Sequence, residues 1–98
     1  MTLREKQSKF VRLLASLIMY ADENGYELTL PDCRKKHMKN SLHYIGLAID
    51  LNLFKDGVYL NKTEDHLPLG ERWEFIGGTW GGRFGDGNHY SLEHGGRK

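Results

Sequence analysis

The stretch NSLHYIGLAIDLNLF, residues 40–54, decides the fold because it joins a strand-like apolar pattern to two residues that a buried strand does not need. From residue 47 onward aliphatic side chains occupy every second position, which is the period of a β-strand. Four of them share one predicted face: Leu47, Ile49, Leu51 and Leu53. Asp50 is predicted on the opposite face, away from that apolar layer. His43 and Asp50 are therefore the residues whose presence needs a reason.

A bend would bring these two side chains together. His43 and Asp50 are seven positions apart, which is roughly 23 Å in a straight strand and about 10 Å along a helix. In neither form can both side chains contact one atom. Gly46 lies between them, and glycine adopts a sharp backbone turn at the lowest cost. The sequence predicts a loop that carries His43, a turn at Gly46, and a strand that returns Asp50 toward the histidine.

The segment before this stretch predicts an amphipathic helix over residues 3–24, followed by Gly25 as a stop. Its predicted apolar face consists of Phe10, Leu13, Leu14, Leu17, Ile18 and Ala21. YELTL, residues 26–30, has the composition of a strand.

Beyond the opening stretch, KDG at residues 55–57 is a hairpin signal that predicts an antiparallel return of VYL. LGERWEFIGG, residues 69–78, predicts a short helix that buries Leu69, Trp73 and Ile76. This order of elements predicts an α+β fold with a small antiparallel sheet flanked by helices.

Composition argues against several classes of protein. A formal net charge of +1 gives no field that favours nucleic acid or an anionic membrane, and the single cysteine, Cys33, excludes an internal disulfide. Arg12 interrupts the apolar run near the start, which is unlike a signal peptide. No run approaches the ~18 to 20 apolar residues that cross a bilayer. We expect a monomer without a nucleic-acid partner and without membrane insertion.

A second group of polar residues lies in GDGNH, where Asp86 and His89 are three positions apart in a turn-forming context. Two imidazoles and one carboxylate form the three-ligand set of a catalytic zinc site. A further carboxylate beside such a site can act as a general base. The same residues also fit an interpretation without a metal, in which Asp50 is exposed on the solvent-facing side of a hairpin.

Two motifs together resemble a known family. SLHYIGLAID is similar to the S-x-H-x-x-G-x-A-x-D signature of the zinc D-alanyl-D-alanine carboxypeptidase and L-alanyl-D-glutamate endopeptidase family, and DGNH resembles its second motif. Between them, a W-x-x-x-G-G-x-W-G stretch that starts at Trp73 resembles phage endolysin members. The similarity covers roughly residues 26–90.

The resemblance implies a fold like that of hedgehog and D-Ala-D-Ala peptidases, with residues 1–98 as one compact peptidase domain and a catalytic region over about 26–94. It implies that zinc is bound by His43, Asp50 and His89.

The same resemblance implies that Asp86 is the catalytic base, which takes a proton from water activated by zinc and passes it to the leaving amine. Ser41 is expected to help position the first motif and bind substrate. The family also uses an upstream arginine, for which Arg34 is the best match, with Lys36 or no residue as the alternatives.

The expected function is a peptidoglycan stem-peptide hydrolase, with a phage-type L-alanyl-D-glutamate endopeptidase preferred. The alternatives are a D-alanyl-D-alanine carboxypeptidase and a non-catalytic, metal-stabilised module that binds cell wall. A small nucleic-acid-binding domain that uses the basic loop is a further hypothesis, which the near-zero net charge weakens. Because no signal peptide is recognised, we expect an endolysin that waits in the host cytoplasm and acts on the cell wall after release.

The other histidines carry no motif. His37 and His66 are predicted at the surface, and His94 is left open between a role behind the metal ligands and a mobile position beside glycines.

Overall fold

The computed structural model describes residues 1–31, 37 and 39–98. These residues form two α-helices, six strands and three short 3₁₀ helices. The α-helices are α1 (Leu3–Glu23) and α2 (Leu67–Phe75). The strands are β1 (Tyr26–Thr29), β2 (Ala48–Asp50), β3 (Asn52–Lys55), β4 (Val58–Leu60), β5 (Thr79–Trp80) and β6 (His89–Ser91). The 3₁₀ helices are Leu42–Ile45, Thr63–His66 and Gly81–Phe84.

Helix α1 begins and ends where local chemistry predicts. The Thr2 hydroxyl accepts a hydrogen bond from the Glu5 amide, and the Glu5 carboxylate accepts one from the Thr2 amide, which satisfies two amides at the helix start. Phe10 and Ala21 are buried on the predicted face. Ile18 was predicted on that face too, and this was wrong: its side chain is 43% exposed. The buried stripe is narrower than the six-residue prediction.

The strands form two small antiparallel sheets, which confirms the α+β class. One sheet has the order β1, β3, β4, and the other has the order β2, β6, β5. Strands β3 and β4 are joined by Asp56 and Gly57, whose φ angles of 51° and 77° are those of a type I′ hairpin turn. The KDG prediction is therefore confirmed.

The apolar run from residue 47 is not one strand. It contributes β2 to one sheet and β3 to the other, with Leu51 between them. Leu51 and Leu53 are buried as predicted, whereas Ile49 is only partly buried and pairs with Tyr90 on β6. Asp50 is buried, which overturns the alternative in which it lies on a wet face.

One apolar cluster joins α1, α2 and residues from both sheets. Trp73 of α2 is fully buried, and its indole N–H lies 2.9 Å from the Ser91 carbonyl oxygen and 3.1 Å from that of Thr79. Phe10 of α1 packs edge-on against the same ring. The prediction that Trp73 packs in the core is confirmed, and its polar edge ties α2 to the second sheet.

His66 is not at the surface, so that prediction was wrong. Its side chain is buried and its Nδ1 lies 2.8 Å from the Tyr90 hydroxyl. Burial lowers the pKa of His66, and the nearby charges of Asp65 and Asp86 oppose this effect. Burial likewise raises the pKa of the Tyr90 phenol. Both groups are therefore held neutral near pH 7 on the far side of β6 from His89.

Within the described residues, the helices are too short or too polar to span a bilayer.

Candidate metal centre

The first motif folds into a capped 3₁₀ turn. Ser41 precedes the helix Leu42–Ile45, and its Oγ accepts a hydrogen bond from the His43 amide. Gly46 ends the turn in the left-handed region with φ 71°. The Gln7 side chain of α1 donates to the Ile45 carbonyl at 2.6 Å, which fixes the turn to the helix. The predicted bend at Gly46 is present, and it places His43 beside the start of β2.

Strand register brings the second motif to the first. Asp50 on β2 lies directly opposite His89 on β6 in the antiparallel ladder, so their side chains project from the same face. Asp50 Oδ1 is 3.3 Å from His43 Nε2 and 3.7 Å from His89 Nδ1. The rings of His43 and His89 are 5.2 Å apart and inclined by 65°. One carboxylate oxygen thus faces a nitrogen from each of two imidazoles.

His37 also belongs to this cluster, so its prediction as a surface residue was wrong. Both its amide and its carbonyl bond to the Tyr44 hydroxyl at 2.9 Å, and its ring stacks on His43 at 3.6 Å with the planes 4° apart. His37, His43 and Asp50 each offer a ligand atom, all within 4.8 Å of one another.

Two candidate triads share His43 and Asp50. The set with His37 has ligand atoms within 4.8 Å of one another, but the rings of His37 and His43 are parallel with their centroids 3.6 Å apart. An imidazole nitrogen binds a metal through a lone pair in the plane of its ring, so one ion cannot lie in both of these planes. The rings of His43 and His89 are inclined by 65°, so this restriction does not apply to the predicted set of His43, Asp50 and His89.

The chemistry of the donors indicates which ion suits the cluster. His89 is 6% exposed, and the nitrogen that faces Asp50 is its Nδ1. Its Nε2, on the other side of the ring, has no hydrogen-bond partner among the described residues and does not itself indicate an ion between Asp50 and His43. The donors, two imidazoles and a carboxylate, are those of three-ligand zinc sites. The residues present therefore fit a zinc ion.

Asp86 lies at the edge of the cluster. It is exposed, borders the same cavity as His43, Asp50 and His89, and precedes β6 by a tight turn in which the His89 amide donates to the Asp86 carbonyl at 3.1 Å. A turn between Asp86 and His89 was predicted, and it is present. A carboxylate in this position can exchange protons with groups in the cavity.

Gly81 packs closely against the turn between Asp86 and His89. Its carbonyl accepts a hydrogen bond from the Asp86 amide at 2.9 Å. A Cβ atom at Gly81 would lie 2.3 Å from the Asp86 carbonyl oxygen and 2.6 Å from His89 Cβ. Only glycine lets the backbone pass this close. The need for glycine here could not be read from the sequence, because the contact depends on the tertiary fold.

The cavity in front of the cluster has a volume of about 500 Å³. Ser41 lines it, as do three cations: Lys39, Arg97 and Lys98. Arg34, predicted to bind substrate, lies outside the described residues, as does its alternative Lys36. His94 does not line the cavity, and its Nδ1 is instead 3.3 Å from Lys6 Nζ on α1.

Comparison with known families identifies the group. A sequence profile described as D-alanyl-D-alanine carboxypeptidase matches residues 34–92, more than half of the chain. The chain belongs to this family. The matched region contains both motifs and every residue of the cluster. Family members act on peptidoglycan peptides, so the match supports a peptidase.

Searches of curated proteins and of solved structures return no match.

Proposed function

We propose that this D-alanyl-D-alanine carboxypeptidase family member is a zinc metallopeptidase that hydrolyses peptidoglycan stem peptides. The observation that carries the proposal is the convergence of His43, Asp50 and His89 on one cavity that Asp86 also borders. Residues 1–98 act as one peptidase domain in this proposal, which is supported by the single apolar cluster that α1 shares with both sheets.

In the proposed site, His43, Asp50 and His89 hold zinc. Zinc in such a three-ligand site polarises a carbonyl and lowers the pKa of a water toward neutrality. Asp86 accepts a proton from the attacking water and delivers it to the amine of the leaving residue. Asp86 is exposed and lines the cavity, which supports this role.

The charge of the cavity supports an anionic substrate. Lys39, Arg97 and Lys98 surround an opening whose only described acids are Asp50, which faces the two histidines, and Asp86. Stem peptides carry free carboxylates, which such a rim attracts. A purely structural metal site would need neither this rim nor a further carboxylate beside it.

Two bond specificities are compatible with this site. The resemblance of the tryptophan and glycine stretch near Trp73 to phage endolysins favours an L-alanyl-D-glutamate endopeptidase, acting on the cell wall after release from the host cytoplasm. The description of the matching family favours a D-alanyl-D-alanine carboxypeptidase. We place the endopeptidase first on the strength of that resemblance.

The test is the release of new amino groups from purified peptidoglycan. We expect release by the zinc-loaded protein and none after chelation. Asp86→Ala should abolish release while retaining stoichiometric zinc by metal analysis, because Asp86 is not assigned as a ligand. Asp22→Ala is the matched control, since Asp22 is exposed on α1, and it should retain full activity.

The fragments decide between the bond specificities, since release of free D-alanine indicates the carboxypeptidase and release of an amino-terminal glutamate the endopeptidase. If the zinc-loaded protein releases nothing from any type of wall, the peptidase proposal is wrong. Retention of zinc with tight binding to the wall would then support the non-catalytic module.

A further inference from the structure

A tight hairpin turn delivers one arginine to the edge of the cavity. The backbones of His94 and Arg97 exchange two hydrogen bonds of 3.0 Å each. Gly95 and Gly96 lie between them with φ angles of 56° and 77°, which is the conformation of a type I′ turn. Glycine adopts this conformation without strain. The stretch HGGR is therefore an ordered turn with Arg97 at a fixed position.

One nitrogen of the Arg97 guanidinium is hydrogen-bonded to the backbone. Its Nη1 donates to the Asn40 carbonyl at 2.8 Å, directly before the turn that carries His43. A guanidinium group has five N–H donors, and this bond uses one of them. Within the described part of the chain, Arg97 forms no ion pair with a carboxylate. Arg97 also lines the cavity, and the described residues leave most of its donors to a ligand there.

We propose that Arg97 binds a carboxylate of the peptide substrate in the metal-centre cavity. The inference rests on the proposed peptidase function and adds the residue that selects the substrate. A guanidinium held at one N–H presents a planar pair of donors that matches the two oxygens of a carboxylate. The proposed ligand is a free carboxylate on the substrate residue next to the cleaved bond.

The other two cations of the rim are less suited to this role. Lys39 and Lys98 are exposed, whereas Arg97 is partly buried. An ammonium group at the end of a flexible chain offers no bidentate geometry, and an exposed charge is screened by salt. The anchored Arg97 loses less side-chain freedom when it binds.

The experiment compares two synthetic stem peptides that differ in one group, a free α-carboxylate or an α-carboxamide on the residue next to the cleaved bond. Wild type should prefer the carboxylate. Arg97→Gln should raise KM for that peptide by about tenfold, as expected for a lost charge-assisted hydrogen bond. It should leave kcat within about twofold, because ground state and transition state lose the same contact.

Three further variants test whether position as well as charge matters. Arg97→Lys should recover only part of the preference. Gly96→Ala keeps the guanidinium but strains the turn, so it should lower the preference as Arg97→Gln does. Arg12→Gln removes the same charge from an exposed position on α1 and should behave as wild type. Thermal unfolding checks that each variant is folded.

Binding of the two peptides, measured by calorimetry, separates this inference from the proposed function. If wild type cleaves neither peptide but binds the carboxylate form better through Arg97, the peptidase proposal fails and the Arg97 assignment stands. If wild type cleaves both and Arg97→Gln leaves the carboxylate preference unchanged, the Arg97 assignment is wrong and the peptidase proposal stands.

Discussion

Replacing Gly81 with alanine should damage both stability and activity. The added Cβ would lie 2.3 Å from the Asp86 carbonyl oxygen and 2.6 Å from His89 Cβ, whereas an ordinary contact is at least 3.4 Å. The backbone must therefore move by about 1 Å, since neither neighbour is the end of a flexible side chain. The displaced residues are the proposed base and a proposed zinc ligand.

The size of the effect follows from that displacement. Overpacking of a well-packed site costs about 1 to 3 kcal/mol, which lowers the melting temperature of a domain of this size by about 5 to 20 °C. A misplacement of about 1 Å at a catalytic group can cost about 100-fold in rate. Thermal unfolding and amino-group release from peptidoglycan measure the two effects on one preparation.

Gly57→Ala is the matched control. Gly57 has φ 77° and no atom within 4 Å of its would-be Cβ, and it lies in the hairpin away from the cavity. Left-handed strain of about 1 to 2 kcal/mol should lower its melting temperature while leaving catalysis intact. If Gly81→Ala has the melting temperature and the cleavage rate of wild type, the close approach at Gly81 is not needed to position Asp86 and His89.

Three other substitutions test the site and the core. Asp50→Asn keeps the shape of the side chain but removes the charge that faces two imidazoles, so metal analysis should find less than stoichiometric zinc; full zinc content would exclude Asp50 as a ligand. His66→Phe should flatten the dependence of unfolding free energy on pH. The folded state lowers the pKa of His66 below its ordinary 6.5, so the unfolded chain binds the proton more readily and stability falls as pH drops below that value. Urea titrations should show a wild-type slope steeper by up to about 1.4 kcal/mol per pH unit, and equal slopes would contradict the assignment. Trp73→Phe removes the indole N–H bonds to two buried carbonyl groups and should cost about 2 to 3 kcal/mol in the same titrations; a loss below about 0.5 kcal/mol would show that these bonds contribute little.

Local chemistry was readable from the sequence. The helix that starts near residue 3, the hairpin at Asp56 and Gly57, and the bend at Gly46 each depend on residues that are close in the sequence. The side-chain periods of helices and strands have the same local origin, which is why the α+β class could be predicted. The pairing of Asp50 with His89 was reached through a family resemblance, because no local pattern records which strands become neighbours.

Tertiary contacts were not readable. The alternation of apolar residues continues unbroken through Leu51, so nothing in the letters indicates that two sheets share the run. His66 and Tyr90 are 24 positions apart, and no pattern in the sequence indicates that His37 stacks on His43. The two glycines before Arg97 were interpreted only as a mobile position beside His94, and nothing in the sequence indicates that they form a turn at the cavity.

One chain segment contributes a strand to each sheet, so the candidate metal centre is connected to the motion of one sheet relative to the other. Leu51 alone separates β2 from β3, it follows Asp50, and its amide bonds to the carbonyl of Asn88 just before His89. An ion that joins Asp50 to His89 would therefore also restrict hinge motion between the sheets. We expect the Leu51 amide to exchange its hydrogen with solvent faster once the ion is removed, which makes it a reporter of metal occupancy that needs no substrate.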